Sequence, residues 1–417
     1  MTRQTPRVER IMESFGERTG LTADRPPRRY LWTDAFAASN YLALHRQTGD
    51  ARWRDRLRAL IHQVHHVLGR HAENSDRTGW ISGLPDEDGE RHPTIAGLRI
   101  GKPLPERGPH EPFDDELEWE RDGQYYHYLT RWMHALVRSA EELGDLELLR
   151  YAAELARSAH AAFAHPAPEA PGGKALYWKM SIDLSRPLVP SMGHHDPLDG
   201  LAVAAELDTL ARSMAAPGSA GRGLSPEVND LSEMCRGRSW VTSDALGIGG
   251  LLAAAWQLAR VGASESTQDS AVRTVPPGLV GRALSDAARS LELTATGRFP
   301  EGPAHRRLAF RELGLSLGLA AAERLREHAA VARSGIDDDA RAALDRIAAH
   351  IPLKDRILGF WVDPANQESP TWTEHEDISS VMLATGLAPH GYLGSAATLG
   401  AADSALSSGH EGVAPQS

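Results

Sequence analysis

Residues 244–256 read DALGIGGLLAAAW. Asp244 opens the stretch; every residue after it is apolar or small, and Gly247, Gly249 and Gly250 fall within about one helical turn. A single β-branched residue, Ile248, argues against a strand, and aspartate suits the cap of a helix. Glycine in a helix costs about 1 kcal/mol relative to alanine. Three of them need a packing reason, and close approach of neighbouring backbones is the natural one. A helix apolar nearly all round is buried on most of its sides.

The same kind of helix recurs as LDGLAVAAELDTL (198–210) and LGLSLGLAAA (313–322). Between them stand helices of a second kind: ARWRDRLRALIHQVHHVLG (51–69), LELLRYAAELARSAHAAF (146–163) and DDDARAALDRIAAHI (337–351). Their apolar residues return every three or four positions, which fits helices covered on one face. Short turns join the two kinds. HRQTGDARW (45–53) and ELGDLELL (142–149) each place a glycine at a helix stop and an aspartate at the next start. Inner helices are expected to begin near Trp32, Asp122, Asp196, Thr242, Pro303 and Glu376. The pattern predicts an all-α chain: an inner ring of small-residue helices wrapped by an outer amphipathic ring.

Longer connections complete this reading. Residues 72–121 are rich in Pro, Gly and charge, yet carry Trp80, Ile81, Ile95, Leu98, Ile100, Phe113 and Trp119. That many apolar anchors predict an ordered flap over one mouth of the ring. Residues 164–193 hold ALYWKMSIDLSRPLVPSM, the most strand-like part of the chain. Residues 214–228 and 261–276 read as flexible surface loops, 1–398 as a single domain, and 399–417 as a frayed tail.

The net charge of −11 argues against a nucleic-acid binder, which usually carries a basic stripe, and disfavours anionic lipid. Cys235 is the lone cysteine, so no intrachain disulfide forms. The opening MTRQTPRVERIMESFGERTG lacks the apolar core of a signal peptide, and no apolar run is read as reaching the ~18–20 residues of a membrane span. A cytoplasmic protein without nucleic-acid or membrane partners follows. No Gly-rich phosphate loop follows a strand, and His62 and His66 lie on a solvated helix without the intervening glutamate of a metalloprotease. Neither a metal nor another cofactor is expected.

The alternation of buried and amphipathic helices resembles the six-hairpin glycosidase-like (α/α)6 toroids. That superfamily includes unsaturated glucuronyl hydrolases, N-acylglucosamine 2-epimerases, many glycoside hydrolases and some polysaccharide lyases. The epimerase-type Arg-His-x-x-Trp signature is absent. The resemblance implies six helical hairpins, long loops over one rim, and a saccharide site at that rim.

Six inner helices running the same way gather six N-termini at that rim, each with unsatisfied N–H groups and about half a positive charge. The residues at these starts are polar and aromatic. They are Trp32 and Asp34; Asp122, Gln124, Tyr125, Tyr126 and His127; His194, His195 and Asp196; Trp240 and Asp244; His305 and Arg306; Trp372, His375, Glu376 and Asp377. Trp178 and Lys179 join them from the 164–193 segment. Indole and phenol faces suit sugar C–H surfaces, while carboxylates and histidines suit hydroxyls and proton transfer. Glycosidic cleavage needs a proton donor and a second group that activates water or attacks. Asp34, Asp122, Asp244 and Glu376 are the candidate acids, Asp196 and Asp377 are candidates for the same pair as well as for substrate binding, and His194 and His195 are the candidate proton carriers. The remaining rim residues are candidate substrate ligands, with Lys179, Arg306 and Arg307 suited to a sugar carboxylate or phosphate. Acids outnumber histidines, which puts hydrolysis ahead of epimerisation or lyase chemistry; a non-catalytic carbohydrate-binding or scaffold protein is the second class. In SMGHHDPLDG (191–200), Asp196 reads as the helix cap, Pro197 as the first helical position and Asp199 as the third.

Overall fold

The structure, a computed structural model, describes residues 4–167, 173–214, 223–267, 274–295, 299–331 and 336–394. In chain order, α1 (Thr5–Arg18) leads to α2 (Leu31–Thr48) and α3 (Ala51–Leu68). The flap holds the short α4 (Asp86–Arg91) and α5 (Asp115–Glu120), then β1 (Gln124–Tyr125) feeds α6 (Tyr126–Leu143) and α7 (Leu146–Phe163). Strands β2 (Ala164–Pro166), β3 (Lys174–Leu176), β4 (Lys179–Met180) and β5 (Pro187–Val189) precede α8 (Asp196–Met214) and α9 (Ser225–Met234). Then come α10 (Ala245–Thr267), α11 (Leu279–Ala295), α12 (Ala309–Val331), α13 (Asp338–Ala348) and α14 (Leu353–Val362). Short helices α15 (Pro364–Gln367) and α16 (Pro370–Thr373), the inner α17 (Glu376–Leu387) and a last turn, α18 (His390–Leu393), end the described chain.

The hairpins form for the reason the sequence predicts. Gly49 and Gly144 stop α2 and α6 at φ +69° and +66°, where a side chain would be strained. The next residues, Asp50 and Asp145, accept the amides of Arg52 and Glu147 at 2.9 and 3.0 Å and start α3 and α7.

Helices α2, α6, α8, α10, α12 and α17 each pack on the next, and α17 returns to α2. This closes the inner ring. Outside it, α3 covers α2, α7 covers α6, α9 covers α8, α11 covers α10, and α13 and α14 cover α12. The outer partner of α17 is α1, which buries Val8, Met12 and Phe15. The N-terminal helix thus completes the last hairpin, a role its sequence does not announce.

Backbone contact explains Gly249: a Cβ there would lie 2.1 Å from the Gly314 carbonyl oxygen, and one on Gly318 would lie 2.5 Å from the Gly249 Cα. Helices α10 and α12 therefore touch main chain to main chain. By length and composition Ala245–Glu265 could cross a membrane, contrary to the sequence reading, but it is mostly buried inside the ring. Its hydropathy is that of a core helix.

Two loop expectations are corrected. Residues 261–267 continue α10, and 225–228 begin α9. Residues 215–222 and 268–273 lie outside the described residues, as does the 399–417 tail. Inner helices expected near Asp122 and Pro303 begin at Tyr126 and Ala309, because β1 and a 3-10 turn (Ala304–Arg306) come first. The strand-like segment forms β3, β4 and β5, and β1, β4 and β5 make an antiparallel sheet beside the start of α6.

The bore is filled from the C-terminal ends of the inner helices. The buried turn α18 touches α2, α6 and α10, which are not all ring neighbours, so it lies inside the ring. His134 Nε2 donates to the Tyr392 carbonyl at 2.9 Å and Trp256 Nε1 to that of Leu393 at 2.7 Å.

Candidate functional site

A circuit of contacts joins the six N-termini into one rim. Tyr30, leading into α2, shares a hydroxyl hydrogen bond of 2.6 Å with Tyr128 on α6. Arg131 on α6 donates to Asp199 on α8 at 2.7 Å. The His195 ring packs on Gly247 of α10, with Cε1 3.2 Å from where a Cβ would sit. Asp244, capping α10, pairs with Arg311 on α12 at 2.8 Å. Phe310 of α12 lies 5.5 Å, centroid to centroid, from His375 before α17. Asp377 of α17 pairs with Arg28, just before α2, at 2.7 Å.

At the centre of this mouth stands Arg131. Besides Asp199 it donates to the Tyr392 hydroxyl at 3.1 Å, and its Nη2 lies 3.4 Å from the Cβ position of Gly250. Gly250 thus makes room for the guanidinium, and Gly247 for the imidazole. Only Gly249 serves backbone contact. Tyr392 stacks on Phe36 at 5.1 Å, and Phe36 meets Trp32 at 4.4 Å, so an aromatic wall rises from the floor along α2. A second wall is Tyr125, His127, Tyr128 and Trp178, with His127 near-parallel to Trp178 at 6.2 Å. Burial, and then Arg131, lower the His127 pKa to about 3.

The first turn of α8 carries two carboxyl groups. The Asp199 amide bonds to the His195 carbonyl at 3.0 Å, so Asp196 is already helical, one position further in than the sequence suggests. Its side chain reaches back to accept the Gly193 amide at 3.1 Å instead of capping the helix. Burial, then the charge of Asp199, raise its pKa to about 7. A Cβ on Gly193 would lie 2.3 Å from Asp196 Oδ2, so only bare backbone covers the carboxyl there. His195 faces the Trp240 carbonyl through Nε2 at 3.0 Å. A carbonyl only accepts, so Nε2 carries the hydrogen and a neutral ring has its lone pair on Nδ1. Burial holds the His195 pKa below its ordinary value.

The other sequence candidates divide sharply. Asp122 is paired with Arg99 and accepts the amides of Gly101 and Gly123, both at 3.0 Å. Gln124 accepts the Leu98 amide and donates to the Ala96 and Ile182 carbonyls. Both fasten the flap to the ring and leave nothing for a substrate. Lys179 is fully buried, held by Glu118 at 2.9 Å and by two carbonyls, so it does not grip a ligand anion. Asp34 accepts the Tyr30 amide beside Arg29; burial raises its pKa to about 6 against the opposing pull of Arg29. Glu376 and Asp377 pair with Arg18, tying α1 to α17.

Tyr126 packs on Phe163, Trp372 on Trp361, and Trp240 is fully buried. These three are core. Arg307 is bound by Glu312 at 2.6 Å, while His305 and Arg306 are exposed. Trp32, Tyr125, His127, Trp178, His194, His195, Asp196, Asp244 and His375 remain at or beside the mouth.

Arg131 and Tyr392 escaped the sequence reading, and Asp199 was read only as a helix-start residue. Arg131 had a signal: it follows His127 by four residues and shares its helix face. Tyr392 had none, since it lies past the last inner helix. Among the described residues no group of three or more His, Cys, Asp or Glu is placed to hold a metal ion. A cavity of about 540 Å³ opens at the opposite end of the toroid, lined by Glu323, Arg324, Glu327, Lys354 and Asp355.

No family model matches the chain, and no curated protein does. Solved structures match its shape. An inactive variant of the alpha-1,6-mannanase of Salegentibacter sp. HEL1_6, in complex with alpha-1,6-mannotriose, aligns at TM-score 0.50 and 10% identity over 92% of this chain and 99% of its own. An alpha-mannanase of Bacteroides thetaiotaomicron aligns at 0.51 and 9%, over 92% and 96%. A cellobiose 2-epimerase from Spirochaeta thermophila aligns at 0.48 and 13%, over 93% and 99%. The fold is the six-hairpin (α/α)6 toroid.

Proposed function

We propose that this chain is a carbohydrate-active enzyme that binds a neutral saccharide in the N-terminal mouth of the toroid and hydrolyses a glycosidic bond there. The single observation that carries this reading is the first turn of α8. Asp199 is ion-paired with Arg131, while Asp196, three residues earlier, is buried and holds its proton up to about pH 7. Environments that separate two neighbouring acids in this way set one as proton donor and the other as base or nucleophile. The 191–193 turn covers the Asp196 carboxyl, and its displacement would open that carboxyl to the substrate. The half-buried rings of Tyr128 and Trp178 suit sugar rings, and alpha-mannanases of the same fold support a saccharide as the ligand. A neutral sugar is favoured over an anionic one because Lys179, Arg131, Arg307 and Arg311 are each neutralised by a carboxylate.

Epimerisation is a second reading, favoured by the free Nδ1 of His195, which has no protein partner among the described residues. Incubation with mannose- and glucose-based oligosaccharides in deuterated water separates the two. New reducing ends without deuterium at a sugar carbon support hydrolysis. Deuterium at carbon without cleavage replaces it by epimerisation, and neither change on any glycan leaves a binding protein.

A further inference from the structure

The flap leaves one large aromatic side chain beside the mouth without a role. Trp119, on α5, is 48% exposed. Its ring meets the Trp178 ring edge-on at 4.7 Å and lies 6.4 Å from Tyr125. Trp178 in turn lies against His127, and His127 shares a helix face with Arg131 one turn on. An aromatic track therefore runs from the central guanidinium outward, through His127 and Trp178, and ends at an indole facing solvent. Glu120 follows Trp119 in α5 and approaches Lys102 at 3.9 Å, and the Lys102 ammonium stands 5.9 Å from the Tyr30 ring centroid.

The geometry points to an outer subsite in which Trp119 and Trp178 carry a second pyranose ring of the substrate, with Glu120 and Lys102 placed for its hydroxyls. A saccharide unit fits this surface better than a protein segment does. The platform is small, lies continuous with the mouth, and pairs an apolar ring face with hydrogen-bonding groups at its edge, as a pyranose itself does. The inference rests on the saccharide reading of the mouth and adds a chain-length requirement to it: ligands of two or more units gain affinity that a monosaccharide does not.

Titration calorimetry tests it with alpha-1,6-mannotriose and cellobiose against mannose and glucose, using the full chain and three variants. Trp119→Ala is expected to weaken the longer ligand by about tenfold, equivalent to ~1.4 kcal/mol of lost contact, and to leave the monosaccharide unchanged. Trp119→Phe keeps a ring and recovers most of the loss. Arg131→Ala weakens both ligand lengths. Equal effects of Trp119→Ala on both lengths, or no effect on either, overturn the subsite while Arg131→Ala still reports on the mouth. If the wild-type protein binds none of the four sugars, the saccharide reading falls and the subsite falls with it.

Discussion

The Tyr392 hydroxyl accepts a hydrogen bond from Arg131 at 3.1 Å, joining the last described turn of the chain to the second inner helix across the bore. The other arm of the same guanidinium holds Asp199 at 2.7 Å. The floor of the toroid thereby sets the position of the charged pair at its mouth.

Removing either partner is predicted to have unequal effects. Tyr392→Phe loses one hydrogen bond but keeps the stacking on Phe36, so unfolding free energy should fall by about 1 kcal/mol. Turnover should fall with it, because Arg131 loses one of its two anchors. Arg131→Ala strips a buried carboxylate of its partner, and a loss of about 3–5 kcal/mol is expected. Urea titrations beside turnover measurements check both. Equal stability losses in the two variants would show that Asp199 does not depend on Arg131.

Glycines of α10 should respond in opposite directions. Gly249→Ala forces a methyl into the Gly314 carbonyl and is expected to cost about 1–3 kcal/mol. Gly262→Ala, on the same helix, meets nothing within 4 Å. It should stabilise by about 0.5–1 kcal/mol through reduced chain entropy. Thermal melts of the two variants decide whether backbone contact or simple helix propensity governs this element.

Such contacts explain what the sequence made legible. Small residues on six helices dictate close packing whatever the partner, so the ring and the starts at Asp196 and Glu376 are visible in the residues themselves. Caps and stops such as Gly49–Asp50 act within a few positions and are equally local. The site is different. Asp122 looks like a free rim acid until Arg99 folds back onto it from 23 residues away, and Lys179 looks like an anion ligand until Glu118 covers it across 61 residues. Neutralisation by distant partners leaves no local trace. The same holds for α1, which completes the last hairpin from outside, and for α18, which fills the bore.

Lys179 offers a direct test of that distinction. Its ammonium donates to Glu118 and to two carbonyls, with no exposed surface. Lys179→Met should leave Glu118 with only Arg107 at 2.8 Å and lower stability by about 3–5 kcal/mol. Saccharide affinity of the folded fraction should stay unchanged, by calorimetry below the melting temperature. A selective loss of affinity for anionic sugars, with stability intact, would restore Lys179 as a substrate ligand.

The final prediction concerns Asp196 and its proton. Burial, and the charge of Asp199, move its pKa from 3.8 to about 7 on folding. Between those values the folded protein holds a proton that the unfolded chain has released. Stability from this group is therefore greatest at low pH and declines as pH rises through the window. Asp34, raised to about 6, acts in the same direction. In Glu206, burial is outweighed by His134 and Arg260 and the pKa falls to about 2, so its contribution is lost only in stronger acid. Asp196→Asn cannot ionise, yet its amide oxygen can still accept the Gly193 amide. Its melting temperature should change less than that of the wild type between pH 5 and pH 8, and should exceed it at pH 8. Turnover should be lost at both values, because the proton donor is gone. Parallel pH profiles for the two proteins would mean that Asp196 does not carry the proton, and the donor would have to be sought elsewhere on the rim.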